Sequence, residues 1–276
     1  MKTDIRKINI PLIAGTALVL LTAAVALVSC FWTPYALDDT AGGLRLSAPG
    51  ALHWAGTDKL GRDLFSQLMV GARYAILVAV LSPLISAVIG IPFGLIAATG
   101  GKILDESLSY LFDAMIAFPA ILLAMLVVTV QGASMSSAIL AIGFSSSAAV
   151  ARVTRVNALH VLATDYVRAA RASGVSRPAV LFRHVLPNIS PMLFVQLTLV
   201  ASGAILAEAS LSYLGLGSPP PQASWGRMLM EAQSSVLTAP WGAVIPGCAI
   251  AVFVLGLNFL GDGIREIIDP EEEMNE

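Results

Sequence analysis

Six long apolar stretches constrain the fold of this chain more than any other feature of its sequence. A helix of about 20 predominantly apolar residues crosses a hydrocarbon core of ~30 Å, because it rises 1.5 Å per residue. The sequence therefore predicts an all-α, polytopic membrane protein with six transmembrane helices. The predicted spans cover residues 11–31, 74–98, 107–130, 135–151, 192–217 and 241–261.

Composition supports a membrane location. Apolar residues make up 57% of the 276 residues and charged residues only 12%, against roughly 25% in soluble globular domains. The formal net charge of -2 gives no indication of nucleic-acid binding. The lipid bilayer is thus the first predicted partner.

The basic residues predict the orientation of the spans, because cytoplasmic loops carry an excess of Lys and Arg. Of the 16 basic residues, 11 lie in the segments on one side and 5 in those on the other. We therefore expect both termini and the loop 157–191 to be cytoplasmic. The inside set is Lys2, Arg6, Lys7, Lys102, Arg152, Arg155, Arg168, Arg171, Arg177, Arg183 and Arg265, and the outside set is Arg45, Lys59, Arg62, Arg73 and Arg227.

The N-terminal third divides into three predicted parts. Residues 1–10 form a cytoplasmic N-terminus, 11–31 the first span, and 32–73 an external loop with an interfacial helix over 57–72 that Thr57 or Asp58 caps. The alternative for the first span is a cleaved lipoprotein signal ending in the residues Leu-Val-Ser-Cys of 27–30. A transmembrane core is predicted over 74–262, and 263–276 is predicted to form a cytoplasmic tail.

A polar, basic segment interrupts the apolar sequence at residues 165–188, which we call the knob. Two short helices are predicted in it. Thr164 or Asp165 caps the first, Ser173 and Gly174 end it, and Ser176 with Pro178 begins the second. Leu186 and Pro187 are expected to end that second helix. A cytoplasmic docking element and an ordinary solvated loop between spans both fit this composition.

The spacing of small and helix-ending residues in the knob carries a resemblance. Ala169 and Ala170, Gly174, and Leu186 with Pro187 fall at the spacing of the EAA loop of permease subunits in binding-protein-dependent ABC importers. The chain departs from that pattern at Arg168, where the family has Glu, and at His184, where an aliphatic residue is usual. The ATPase-coupling residues that the resemblance implies are Asp165, Tyr166, Arg168, Ala169, Ala170, Gly174, Arg183, Leu186 and Pro187.

Four further blocks resemble the dipeptide, oligopeptide and nickel group of these permeases. They span residues 56–73, 207–217, 224–229 and 258–270. On these blocks the chain is identified as similar to the second permease of peptide uptake systems, with the type I (MetI-like) transmembrane domain that this implies.

The resemblance implies a set of partners and a mechanism. The partners are a homologous second permease, two ABC ATPase subunits that bind ATP and Mg, and an extracytoplasmic substrate-binding protein. ATP-driven closure of the ATPases would pull on the knob and rock the spans from inward-open to outward-open. Di- or oligopeptides are the expected cargo, with nickel, a metal chelate or glutathione as alternatives.

The residues themselves indicate no chemistry in this chain. Gly101 and Lys102 lack the remainder of a phosphate-binding loop, and the three histidines lack the partners that a metal site uses. We therefore expect no catalytic residue, no metal and no cofactor here. A gradient-driven secondary transporter is the alternative class, although neither inverted repeats nor an acidic relay is visible.

Two acidic residues lie in or near apolar spans, where a charge is costly enough to suggest a role. Asp113 is near the cytoplasmic start of the third span, and pairing with an internal Arg is its alternative to a pathway role. Glu208 lies deep in the fifth span. We expect Glu208 to face the translocation pathway or the partner permease, or else to pair with a neighbouring helix.

Overall fold

The computed structural model describes residues 9–40, 44–219 and 222–268. The predicted N-terminal segment 1–10 and tail 263–276 fall largely outside these residues. The described chain is helical, which confirms the all-α prediction. Its α-helices are α1 (Ile10–Phe31), α2 (Leu64–Thr99), α3 (Lys102–Ala117), α4 (Ala120–Gln131), α5 (Met135–Leu162), α6 (Asp165–Ala172), α7 (Arg177–Val180), α8 (Leu186–Tyr213), α9 (Trp225–Ala232) and α10 (Trp241–Ile268).

Five helical runs in the described part of the chain are long and apolar enough to cross a membrane, and α3 with α4 makes a sixth if the bent pair is one span. The predicted third span over 107–130 is broken in the structure, because α3 and α4 meet at an angle of 86°. Pro119 explains the break. Proline cannot donate a backbone hydrogen bond and forces the preceding residue, Phe118, into an extended conformation.

Helix α2 replaces two predicted helices. The structure has no separate helix over 57–72, because one helix of 36 residues runs from Leu64 to Thr99. Its N-cap is Asp63, whose carboxylate accepts a hydrogen bond of 2.7 Å from the backbone N–H of Ser66. Thr57 and Asp58, the predicted caps, bond instead within the turn that precedes the helix.

Close packing of α2 on α5 forms the centre of the bundle. A methyl group built at Gly90 would lie 2.6 Å from the carbonyl oxygen of Ser147, so only glycine permits this approach. Ser86 also donates a hydrogen bond of 2.8 Å to the carbonyl oxygen of Gly143. Small residues and interhelical hydrogen bonds stabilise helix pairs in lipid, where apolar attraction between helices is weak.

Helix α1 lies along α10 through the same kind of contact. A methyl group at Gly263 would lie 2.5 Å from the backbone of Leu12, and one at Gly256 would lie 2.8 Å from Leu18. At the end of this interface, Asn9 caps α1 and donates a side-chain hydrogen bond of 2.8 Å to the carbonyl oxygen of Gly263. The first apolar helix is therefore packed against the last.

Candidate functional site: the two ends of the bundle

The knob has a buried inner face that fixes it to the ends of α2 and α5. Val167, Val180 and Val185 are fully buried and belong to one apolar cluster with Leu95 of α2 and Ala158 of α5. Burying a valine side chain contributes about 1.5 kcal/mol or more. The knob is thus a packed element of the fold and differs from a freely solvated loop.

The turn between the two knob helices follows the predicted geometry. Helix α6 ends at Ala172, and Gly174 adopts a left-handed conformation with φ of +85°. The backbone N–H of Val175 then bonds the carbonyl oxygen of Ala170 at 3.1 Å, which closes the helix end. No atom lies within 4 Å of a methyl group built at Gly174, so this turn projects into open space.

The end of the second knob helix differs from the prediction. Leu186 and Pro187 do not terminate it, because a π-helical turn over Leu181–Val185 joins α7 directly to α8. Within that turn, the N–H of Leu186 bonds the carbonyl oxygen of Leu181. Pro187 follows the π-helical turn directly, and the helical run continues through it into α8.

The predicted coupling residues divide between the two faces of the knob. Ala170 is half-buried, and Leu186 packs against the inner cluster, so Leu186 anchors the knob. The side chain of Arg168 is 69% exposed and makes only a loose ion pair of 3.6 Å with the exposed Asp165. The exposed members of the predicted set are Asp165, Tyr166, Arg168, Ala169, Gly174, Arg183 and Pro187, beside the exposed Phe182.

An unpredicted polar cluster ties α6 to the start of α8. The ring of Tyr166 lies edge-on to the ring of His184, with centroids 6.0 Å apart. The amide of Asn188 donates hydrogen bonds to the Tyr166 hydroxyl at 2.8 Å and to the carbonyl oxygen of His184 at 2.9 Å. The histidine that departs from the family pattern therefore has a structural role in this chain. Its 18-residue separation from Tyr166 left no local signal in the sequence.

The opposite end of the bundle carries the cap, which we define as residues 44–63 and α9. Its centre is Asp58, whose carboxylate accepts hydrogen bonds from the backbone of Leu60 at 2.8 Å and Arg62 at 2.9 Å, and from the side chain of Gln67 at 3.1 Å. The Arg62 guanidinium donates to Asp58 at 2.7 Å. These bonds hold the tight turn that precedes α2.

Arg62 also joins the turn to α9. Its guanidinium pairs with Glu231, which in turn accepts a hydrogen bond of 2.9 Å from Arg227. Burial alone would lower the pKa of Arg62, but the charges of Asp58 and Glu231 and their hydrogen bonds raise it above its ordinary value. Arg62 therefore stays charged at any physiological pH.

A second buried pair lies beside this network. His53 Nδ1 is 2.9 Å from a carboxylate oxygen of Asp63, and the other oxygen accepts the Ser66 hydroxyl at 2.8 Å. The backbone N–H of Tyr35 donates to that hydroxyl at 3.0 Å. The motif block of residues 56–73 thus builds a tight turn and the start of α2, and the cap is Asp63 rather than the predicted Thr57 or Asp58.

The structure places the two predicted membrane acids far apart. Asp113 pairs with Arg152 of α5 at 3.5 Å, and both side chains are more than half exposed, so the alternative of an internal arginine partner is the arrangement observed. Glu208 accepts a hydrogen bond of 2.6 Å from Ser212 and interacts with the Ser224 side chain at the N-cap of α9. Neither acid lines the apolar cavity of about 660 Å³ between α2 and α5, to which Leu77 and Ile139 contribute.

The described chain is a multi-pass helical bundle with an anchored, basic pair of short helices at one end and a hydrogen-bonded cap at the other. Residues 90–273 match the family described as "Binding-protein-dependent transport system inner membrane component". This match covers more than half of the chain, and the chain belongs to that family. It is accordingly a multi-pass inner-membrane transport protein, and a gradient-driven carrier is no longer a supported alternative.

Named relatives agree with this family. The chain is 35% identical over 259 residues to the "Dipeptide transport system permease protein DppC" of Alkalihalophilus pseudofirmus, a match that covers 94% of this chain and 85% of the relative. It is 38% identical over 260 residues to a putative peptide transport system permease protein of Brucella abortus, covering 94% and 88%. It is 37% identical over 260 residues to the "Glutathione transport system permease protein GsiD" of Pectobacterium atrosepticum, covering 94% and 86%.

A solved structure shares the fold. The chain superposes on a chain of the inward-facing MetNI methionine ABC transporter with a TM-score of 0.62 and 20% identity, covering 74% of this chain and 96% of the other. The predicted type I importer fold is therefore confirmed.

Proposed function

We propose that this chain is the permease subunit of an ATP-driven importer, that it forms half of a pathway for di- or oligopeptides, and that separate ATPases dock on the knob. One observation carries the docking role. The knob is anchored by buried valines, whereas its outer surface exposes Arg168, Ala169, Phe182 and Arg183 without strong internal contacts. A surface that is fixed in position but unpaired is suited to transmit the movement of a partner.

The same proposal assigns the remaining partners. A homologous permease would complete the pathway, a binding protein would deliver the solute to the cap end, and ATP with Mg would be bound by the ATPases. No cluster of three potential metal ligands occurs among the described residues. The surplus of basic residues at the knob end supports a cytoplasmic knob and cytoplasmic termini.

The proposed mechanism is mechanical. Closure of the ATPases would move the knob, and the knob would carry the ends of α2, α5 and α8 with it through the Val167, Val180 and Val185 cluster. Glu208 is proposed to stabilise the contact of α8 with α9 next to the pathway or the partner permease, through Ser212 and Ser224.

The central test is affinity purification of the chain in mild detergent with mass spectrometry of the proteins that accompany it. Gly174→Asp places a charge on the projecting knob turn. Gly132→Asp is a matched control, because Gly132 also has positive φ (+88°) and open space around it, but it lies between α4 and α5 at the other end of the bundle.

We expect the wild type and Gly132→Asp to retain an ATPase and a second permease, and Gly174→Asp to lose the ATPase while keeping the permease. A wild-type chain that purifies without any ATPase under several gentle conditions would refute the importer proposal. Equal loss from both variants would refute the docking role.

Glutathione is the second candidate cargo, and the 37% identity to the glutathione permease favours it. Glutathione is itself a small peptide, so the distinction concerns selectivity within one chemical class. Uptake of radiolabelled dipeptide and of radiolabelled glutathione by the reconstituted complex, each in competition with the other, would separate the two.

A further inference from the structure

A second feature of the knob end is a cavity of about 610 Å³ between the knob and the ends of two spans. We propose that this cavity binds the headgroup of an anionic phospholipid from the adjacent membrane leaflet. The cavity is lined by Ala98, Thr99, Leu159, Leu162, Ala163, Arg171, Val175, Arg177, Val180 and Leu181.

The depth of the cavity corresponds to the headgroup layer. Ala98 and Thr99 end α2, whose apolar span is predicted to finish at residue 98. Leu159 lies 24 residues after the start of α5 at Met135, or ~36 Å along the helix, which exceeds a hydrocarbon core of ~30 Å. The cavity therefore opens just beyond the hydrocarbon, where phosphate groups lie.

The charge of the cavity fits an anion. Arg171 and Arg177 both line it, both are exposed, and neither makes an ion pair within the described residues. No acidic side chain is among the described residues that line the cavity. Basic pockets between transmembrane helices on the cytoplasmic side are suited to anionic headgroups.

The remaining walls favour a lipid over a free anion. Val180 is fully buried beneath the floor, and Leu159, Leu162 and Leu181 supply further apolar surface. Inorganic phosphate would leave this surface unused, whereas the glycerol and upper acyl chain of a phospholipid would cover it.

Arg171 and Arg177 are distinct from the docking surface proposed above. Arg171 is four residues after the buried Val167 and so lies near the inner side of α6, while Arg168 is one residue after Val167 and points away from it. The inference goes beyond the proposed function, and the two sets of arginines can be altered separately.

The test is lipid binding by native mass spectrometry on the full, delipidated transporter complex. Phosphatidylglycerol, phosphatidylcholine and inorganic phosphate are the three titrants. The variant is Arg171→Gln/Arg177→Gln, and Arg168→Gln/Arg183→Gln removes the same charge from the docking surface. The co-purifying ATPase is scored in parallel.

We expect phosphatidylglycerol to bind the wild type in preference to phosphatidylcholine, without displacement by inorganic phosphate. Binding to the Arg171/Arg177 variant should be about 25-fold weaker, roughly fivefold for each arginine, with the ATPase retained. The Arg168/Arg183 variant should keep the lipid and lose ATPase.

Three results would overturn the inference: equal loss of lipid from both double variants, displacement by inorganic phosphate, or loss of the ATPase from the Arg171/Arg177 variant with lipid unchanged. A wild type that lacks any ATPase but still selects phosphatidylglycerol through Arg171 and Arg177 would refute the proposed function and leave the lipid site standing.

Discussion

The cap and the knob, at the two ends of one bundle, differ in where their charged side chains lie. In the cap, charged groups are paired and mostly removed from solvent: Asp58 is buried, and the side chains of Arg62 and Glu231 are 17% and 12% exposed. In the knob, valines are buried, and the charged groups Arg168 and Arg183 face outward. The cap satisfies its own polar groups, whereas the outer surface of the knob carries charged side chains that are exposed and only loosely paired.

If ATPases dock on the knob as proposed, this difference predicts different responses to substitution at the two ends. A buried ion pair that loses one member leaves an uncompensated charge, so the cap should be sensitive to single substitutions in the isolated chain. Exposed ion pairs contribute little, so changes on the outer knob should be visible only in the assembled transporter. The predictions below separate these two kinds of effect.

The largest effect is expected in the cap. Arg62→Met should lower the free energy of unfolding by about 3 kcal/mol, because it leaves Asp58 and Glu231 without their shared cation. The midpoint of thermal unfolding in detergent measures this. Lys59→Met, an exposed position in the same turn, is the control and should change little. Equal shifts would show that the ion network does not stabilise the cap.

The next effect is expected on the inner face of the knob. Val180→Ala removes buried methyl groups from the anchoring cluster and should cost about 2 kcal/mol. Phe182→Ala removes more atoms, but from a side chain that is 67% exposed, and should cost little stability while weakening ATPase retention. Thermal unfolding and co-purification, measured on both variants, check the contrast. A larger loss of stability for Phe182→Ala than for Val180→Ala would contradict the assignment of Val180 to the anchoring face and Phe182 to the outer face.

A smaller effect is expected at Glu208, which joins α8 to the N-cap of α9. Glu208→Gln should reduce uptake by roughly fivefold, corresponding to about 1 kcal/mol for a hydrogen bond to a charged group. Ser210→Ala, in the same helix, is the control because its hydroxyl bonds only its own helix backbone. Unchanged uptake and unchanged complex assembly for Glu208→Gln would refute a role for the carboxylate.

The smallest effect is expected within the exposed part of the knob. Tyr166→Phe loses the hydrogen bond from Asn188 and should cost about 0.5 kcal/mol. Tyr110→Phe removes the hydroxyl of another exposed tyrosine and serves as the reference. Asn188→Ala should lower the free energy of unfolding less in the Tyr166→Phe background than in the wild type, because the hydrogen bond is already lost. Equal losses in both backgrounds would show that the two side chains do not interact.

The sequence predicts the knob turn well, because its determinants are local. Gly174 supplies the positive φ that ends α6, and Ser176 with Pro178 begins α7 within a few residues. The apolar length of the spans is equally local, and it led directly to the all-α membrane fold. The family motifs then indicated an importer permease.

Long-range contacts account for what the sequence did not reveal. Thr57, Asp58 and Asp63 are all good N-cap residues, and contacts from Arg62 and Gln67 to Asp58 leave Asp63 to cap α2. Pro119 breaks the third apolar stretch, whereas Pro83 and Pro92 are absorbed within α2.

At Pro187, too, a local sequence signal did not predict the helix boundary. Its local signal ends a helix, but in the structure the π-turn of Leu181–Val185 precedes the proline and the helical run continues into α8. The pairings of Tyr166 with His184 and of Glu208 with Ser224 also depend on which helices meet. Tertiary packing determines these contacts, and the local sequence does not reveal them.

The π-turn has a further consequence for how the two ends communicate. It makes Arg177–Tyr213 a single helical run of 37 residues, or ~55 Å at 1.5 Å per residue. One end of this run belongs to the knob, and near the other end Glu208 contacts Ser224, the N-cap residue that precedes α9. No loop separates them to absorb a displacement. A displacement of the knob would therefore tilt the whole helical run and move its other end beside the cap. A single continuous segment of backbone would couple the two faces of the membrane.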